Sequence, residues 1–203
     1  MKRLAILGAS GHGKVVAEAA ELSDWDEVVF FDDAWPKISA NSVWPVLGNT
    51  EDLLNSLNEF SGVAVAIGNN SIRLKKLNLL CEQGVALPAI IHPNAVISRY
   101  ATIGDGSVVC AGVVVSADTK IGAGAILNTG CSIDHDCLLA EAVHISPGAR
   151  LAGGTKVEVC AWVGIGAVVR QLISIGAYSV VGAGAAVVKD VPERTTVVGI
   201  PAQ

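Results

Sequence analysis

Much is missing from this 203-residue chain, and each absence narrows what it can do. No run of Lys or Arg occurs and the net charge is −5, which argues against electrostatic capture of nucleic acid or an anionic membrane. No apolar stretch is long enough to cross a bilayer: the longest in the repetitive half, Val108 to Val115, is short and broken by Gly112. No signal-type segment precedes the first apolar run, so a cytoplasmic location is expected. The five cysteines are odd in number and lack metal-type pairing, which fits a reducing compartment better than a disulfide framework. The spacings of His92, His135 and His144 do not suggest a zinc site, and no metal is expected. Small molecules or other protein chains remain as partners.

What is present is a count in sixes. From Ile91 to Val187 every sixth residue is Ile, Leu or Val, 17 consecutive positions, although these types make up only 61 of the 203 residues. Chance gives such a register with a probability on the order of one in a billion. Four residues after most of these positions stands a small residue, among them Ala95, Ser107, Thr119, Ala125, Cys131, Cys137, Ala149 and Ala161. Six residues make one flat side of a prism whose interior takes one large and one small side chain, and three sides close a coil of about 18 residues. Cys131 and Cys137 read as core filler on this register. The hexads, with units such as Ile103-Gly104-Asp105-Gly106-Ser107 and Ile121-Gly122-Ala123-Gly124-Ala125, resemble the hexapeptide-repeat acyltransferases. That resemblance implies a left-handed parallel β-helix over residues 89–203. The hand comes from the resemblance alone, since the usual crossover preference is right-handed.

Residues 1–88 are organised differently. Apolar runs at Lys2–Leu7, Val28–Phe31 and Val63–Ile67 read as strands, and Val15–Leu22, Glu51–Asn58 and Ser71–Glu82 read as helices, which together make a small Rossmann-like α/β domain. The segment from Ala34 to Val46 reads as an irregular loop bordering a sugar pocket, and Trp25, Trp35 and Trp44 have no assigned purpose. Gly8-Ala9-Ser10-Gly11-His12-Gly13-Lys14 fits neither the phosphate-binding loop of NTPases, because Val15 stands where a hydroxyl is needed, nor the dinucleotide fingerprint. Its physical content survives both mismatches: a glycine turn at a helix N-terminus offers N–H groups to an anion, and carboxylates at the next strand end can hold hydroxyls.

Gly8 to Gly13, Phe31-Asp32-Asp33 and Ala66-Ile67-Gly68-Asn69-Asn70, followed by the ladder and the Gly199-Ile200-Pro201-Ala202 tail, resemble the nucleotide-sugar acetyltransferases of the sialic-acid O-acetyltransferase type, and among them the bacterial UDP-4-amino-sugar N-acetyltransferases. The resemblance implies acetyl-CoA as co-substrate, a homotrimer, and Ser10, Gly11, His12, Asp32, Asp33 and Gly68 as contacts to the nucleotide-linked sugar.

Within the ladder the largest departure from filler is Asn128-Thr129-Gly130-Cys131-Ser132-Ile133-Asp134-His135-Asp136-Cys137, with its histidine between two aspartates; His144 and Trp162 also stand out. A histidine titrates near ~6.5 and can take the proton that an attacking amine or hydroxyl sheds at a thioester, while a neighbouring carboxylate orients the ring. The resemblance makes His135 the base and Asp136 its partner; the residues alone leave Asp134 as a second candidate. It also places His144 near the acetyl group and Ile165 and Ala183 along the coenzyme arm. His92, next to Pro93, reads as structural. The expected activity is N-acetylation of a UDP-type amino sugar by direct transfer; the alternatives are O-acetylation of a sialic acid or other sugar hydroxyl, and a non-catalytic nucleotide-sugar-binding trimer.

Overall fold

The computed structural model describes residues 1–203. Its first part comprises β1 (Arg3–Leu7), α1 (Gly11–Glu21), β2 (Glu27–Phe31), β3 (Ala40–Asn41), β4 (Trp44–Gly48), α2 (Thr50–Asn55), β5 (Gly62–Val65) and α3 (Asn70–Glu82). The sheet order is β3-β4-β2-β1-β5, parallel except between β3 and β4. Strands covered on both faces need apolar residues on both. Leu4, Ile6, Val28, Phe30 and Ala64 accordingly pack with α1, while Ala5, Leu7, Val29, Phe31, Val63 and Val65 pack on the opposite side with Leu53, Leu77 and Leu80. No helix is long and apolar enough to cross a membrane.

Two expectations need correction. The segment 34–46 is not wholly irregular: it contains β3 and the start of β4, and β4 extends the sheet beyond β2. Pro45 inside β4 hid the strand, because proline removes a ladder donor and argues against a strand in sequence. The first helix begins at Gly11, four residues before the expected Val15, because the glycine turn is itself the first helical turn. Gly8, at φ +113°, must be glycine, since a Cβ there would stand 2.8 Å from the carbonyl oxygen of Ala66.

From Ile90 the chain winds into a left-handed parallel β-helix of two-residue strands, β6 (Ile90–Ile91) to β23 (Thr196–Val197). Three flat faces of seven, six and five strands stack in parallel, with Val114 beside Ser132 and Ser132 beside Arg150, so each coil repeats after 18 residues. The hexad residues from Val109 to Val187 are at most 4 % exposed, with Ala125, Cys131, Cys137 and Ala149 filling the small inward positions. Burying each large aliphatic side chain contributes roughly 1.5–3 kcal/mol. Ile91, Ile97 and Ile103 are only partly buried, because no coil lies beneath the first. The last coil is shorter: Ile175 bridges to Val191 and Val181 pairs with Val197. The tail then folds back, Ala202 N–H donating to the Ala186 carbonyl at 2.9 Å.

The α/β part sits on the seven-strand face and on the corner between the five- and seven-strand faces. Ile90, Val108 and Ile126 point outward from the prism yet are buried beneath it. Along that corner one left-handed position recurs coil after coil: Gly106, Gly124, Ala142, Cys160, Tyr178 and Arg194, with φ between 52° and 66°. Leu77 of α3 lies on the first two, where a Cβ would collide with its side chain; Asn70, at the start of α3, donates to the carbonyl of Cys160 at 3.0 Å. The corner residue grows in size as the helix leaves it, and beyond the helix Tyr178 and Arg194 stack at 4.8 Å. Between helix and corner lies Arg73, fully buried with no carboxylate partner. Its guanidinium donates to the carbonyls of Gly124 (2.8 Å), Ala142 (2.8 Å) and Val143 (3.2 Å) on the prism, and to those of Ile67 (2.9 Å) and Gly68 (3.2 Å) on the sheet side. A buried cation is tolerable when its donors are used in this way.

Candidate active site

The expected substrate contacts converge at the carboxyl ends of β1, β2 and β5, where open parallel sheets place ligands. Ser10 is the N-cap of α1 but makes no side-chain cap bond, no acidic residue occupies the first turn, and a Cβ added at Gly11 would meet nothing within 4 Å. The helix therefore presents unclaimed N–H groups and its positive dipole end to an open space, as an anionic group requires. Gly68 at the end of β5 is likewise open. The two aspartates are busier than expected. Asp32 accepts from Ala9 N–H at 2.7 Å and Ala34 N–H at 2.8 Å, fixing the glycine turn; Asp33 accepts from Thr50 and from Lys76 Nζ at 3.0 Å, which outweigh desolvation and lower its pKa. Their charges build the rim of this space, and only their remaining lone pairs are free for a ligand.

His135 stands on the corner between the six- and five-strand faces, two residues after β13 (Ser132–Ile133). Its Nδ1 is 2.7 Å from Asp136 Oδ2, and that hydrogen bond raises the histidine's pKa above its ordinary value. The choice between the two aspartates falls on Asp136 in geometry; Asp134 adds only a weaker through-space effect. Asp136 has φ +59°, a conformation Asp tolerates, and this turns its carboxylate toward the preceding ring. The ring is 67 % exposed and borders a cavity of about 280 Å³ with Asp136, Gly153, Gly154, Gln171 and Leu172.

His144, in β15 (His144–Ile145), has the opposite surroundings. It is partly buried and stacks at 5.3 Å, nearly parallel, on Trp162 of β18 (Trp162–Val163) in the next coil. Burial, then the charge of Arg73 and the nearness of His12, push its pKa down to about 3; burial and Arg73 take His12 down to about 4. Both rings are neutral at neutral pH. Asn128 Oδ1 accepts from Thr129 N–H at 2.9 Å, so its amide nitrogen turns to His144 Nε2 at 3.3 Å. That assigns Nε2 as acceptor and leaves the proton on Nδ1, which is buried and without a partner, as is Nε2 of His12. His12 thus belongs to the same seam as His144.

Ile165 and Ala183 occupy the corner between the seven- and six-strand faces, one coil apart, Gly184 N–H donating to the Ile165 carbonyl at 2.8 Å. Ile165 is 61 % exposed. His92 closes its own turn, Nδ1 accepting from Asn94 N–H at 3.0 Å, and has no contact with the other histidines. Sequence reasoning singled out the stretch that opens with Asn128 without its contact to His144, and missed Arg73 and Gly153. Coil arithmetic would have found the last, which lies 18 residues after His135.

Comparison with known proteins fits this geometry. The PglD N-terminal domain family matches residues 3–80. The UDP-N-acetylbacillosamine N-acetyltransferase of Bacillus subtilis (strain 168) is 40% identical over 115 residues, 55% of this chain and 52% of that protein. The chain spans about half the length of the curated relatives it matches. Agreement with solved structures extends from end to end: the acetyltransferase domain of PglB from Neisseria gonorrhoeae FA1090, in complex with acetyl coenzyme A, superposes with a TM-score of 0.95 at 45% identity, covering 100% of this chain and 98% of that one. The chain belongs to the hexapeptide-repeat nucleotide-sugar acetyltransferases. A second family member, PerB from Caulobacter crescentus in complex with CoA and GDP-perosamine, superposes at 0.95 with 38% identity over 100% and 97% of the two chains. In this family member the seam between sheet and prism is as continuous as the prism itself, one apolar cluster running from Leu4 to Val197.

Proposed function

We propose that this acetyltransferase moves an acetyl group from acetyl-CoA to the amino group of a nucleotide-linked sugar, with His135 as general base. The observation that carries the reading is the 2.7 Å contact between His135 Nδ1 and Asp136, which leaves Nε2 free to take a proton. In that reaction the amine nitrogen attacks the thioester carbonyl, His135 accepts the proton it sheds, and collapse of the tetrahedral intermediate breaks the C–S bond. The thiolate of CoA then takes a proton from the imidazolium, so no covalent enzyme intermediate is needed. The N-terminus of α1, with Ser10, Gly11 and His12, receives the diphosphate, and Asp32, Asp33 and Gly68 border the nucleoside. A neutral His144 with its proton on Nδ1 can donate to the thioester oxygen as charge grows there. Ile165 and Ala183 support the coenzyme arm.

His135 and the Ile165–Ala183 column lie on opposite edges of the six-strand face. Val96, Val114 and Val168 are exposed on that face. A complete site therefore combines the base of one copy with the coenzyme column and sugar grip of its neighbour, which is the reason to expect a closed trimer. The relatives include GDP-perosamine and UDP-sugar enzymes. For this chain we retain the uridine sugar, and thiol release measured across UDP-, GDP- and dTDP-amino sugars and free sialic acid tests it. Turnover highest with a UDP-amino sugar supports the reading; a GDP-sugar preference corrects the base, and turnover only with hydroxyl acceptors overturns N-transfer.

A further inference from the structure

We infer that Gly153 is a positioning residue for the transfer reaction: its missing side chain is the shelf on which the His135 ring lies while bonded to Asp136. The inference rests on His135 being the base. A Cβ at Gly153 would stand 2.6 Å from His135 Cε1, 2.7 Å from Nε2 and 3.1 Å from Nδ1, so the imidazole lies directly over the glycine backbone. Atoms at such distances must move apart, and only the ring, 67 % exposed and anchored by one hydrogen bond, is free to do so.

The prism does not itself demand glycine there. The same corner position is filled in successive coils by Arg99, Ala117, His135, Gly153 and Gln171. Unlike the corner glycines at φ near +66°, Gly153 is not in the left-handed region, so a side chain costs nothing in backbone strain. Gly153-Gly154 is also the only Gly-Gly pair in the chain, and it lies one coil beyond His135-Asp136. Gly154, by contrast, has φ +69° and lies under Leu172. Without the shelf, an exposed imidazole on a turn would sample several rotamers; between the flat backbone and Asp136 it keeps one, with Nε2 at the cavity.

Gly153→Ala adds one methyl group beneath the ring. Displacement of a reacting group by about 1 Å costs on the order of 100-fold in rate. The expected result is a fall in kcat of about that size, with KM for both substrates within about twofold and an unchanged melting temperature. Ala117→Ser, a similar addition on the preceding coil, should leave kcat near wild type. The readout that separates positioning from a structural effect is the NMR titration of His135, one of only four histidines. The charged groups acting on it are Asp136 and Asp134 on its own turn; Gly153, Gly154, Gln171 and Leu172 around the cavity bring no charge. Loss of the Asp136 contact should move the titration down toward the ordinary histidine value. A Gly153→Ala enzyme with kcat within twofold of wild type overturns the inference, and so does a loss of kcat with the His135 titration unmoved. If His135→Ala itself retained activity, the base assignment would fail, while the titration would still report whether Gly153 holds the ring.

Discussion

His135 and His144 lie nine residues apart on one ladder, and the prism puts them in opposite environments. One is exposed on a turn beside a carboxylate that raises its pKa; the other is partly buried against Trp162 near a buried arginine, with its pKa pushed down to about 3. Half a coil separates a residue suited to accept a proton from one suited to remain neutral and donate a hydrogen bond. Environment, not residue type, makes the difference.

The largest effect expected from breaking this contrast is at His135. His135→Ala should lower kcat by about 10³-fold, with acetyl-CoA binding by calorimetry and the melting curve unchanged; a tenth of wild-type activity remaining would refute the base assignment. Asp136→Asn tests the carboxylate half of the pair. The neutral base is the active form, so in the wild type activity rises with pH through the raised pKa of His135. In the variant we expect a loss of about tenfold, with the acid limb of the kcat profile displaced to lower pH, because the group that held the proton is gone. A profile that keeps its acid limb would point to Asp134 instead.

The effect with least bearing on turnover concerns the partly buried histidine pair and appears in stability. His12 and His144 have folded-state values of about 4 and about 3, below their ordinary 6.5. Below pH 6.5 the unfolded chain takes up protons that the folded one refuses, so stability present above that pH is lost as pH falls toward 4. The slope should be roughly 1.4 kcal/mol per pH unit for each histidine. Denaturant melts between pH 7 and 4 would measure it, and His144→Phe should reduce the slope; an unchanged slope would mean that the ring is not buried in solution.

Much of this could be read in the chain beforehand. The count in sixes located the prism and its filler because a periodic core writes its period into the sequence, and the histidine between two aspartates stood out for the same reason. The pairing partner did not, since Asp134 and Asp136 differ only in backbone angle, and φ is invisible in a list of residues. β4 was concealed by Pro45. Arg73 looks like an ordinary helix-surface residue until α3 docks, because its acceptors are carbonyls between five and 70 positions away. The helix register alone cannot place a carbonyl from another element. Nor could sequence say that Asp32 and Asp33 spend part of their charge on Ala9, Ala34, Thr50 and Lys76.

The corner running from Gly106 through Gly124, Ala142 and Cys160 to Tyr178 and Arg194 has a consequence for ancestry and recombination. A repetitive domain invites duplication, deletion or exchange of whole coils, since every coil offers the next the same seam. Here one residue per coil records its rank relative to α3. The coil of Tyr178, moved to the place of Gly106 or Gly124, would keep its own core and still put tyrosine where Leu77 needs glycine. Insertion of a coil between Gly106 and Cys160 would break the α3 contacts, and any chimera joining this sheet to another prism must carry that part of the corner with it.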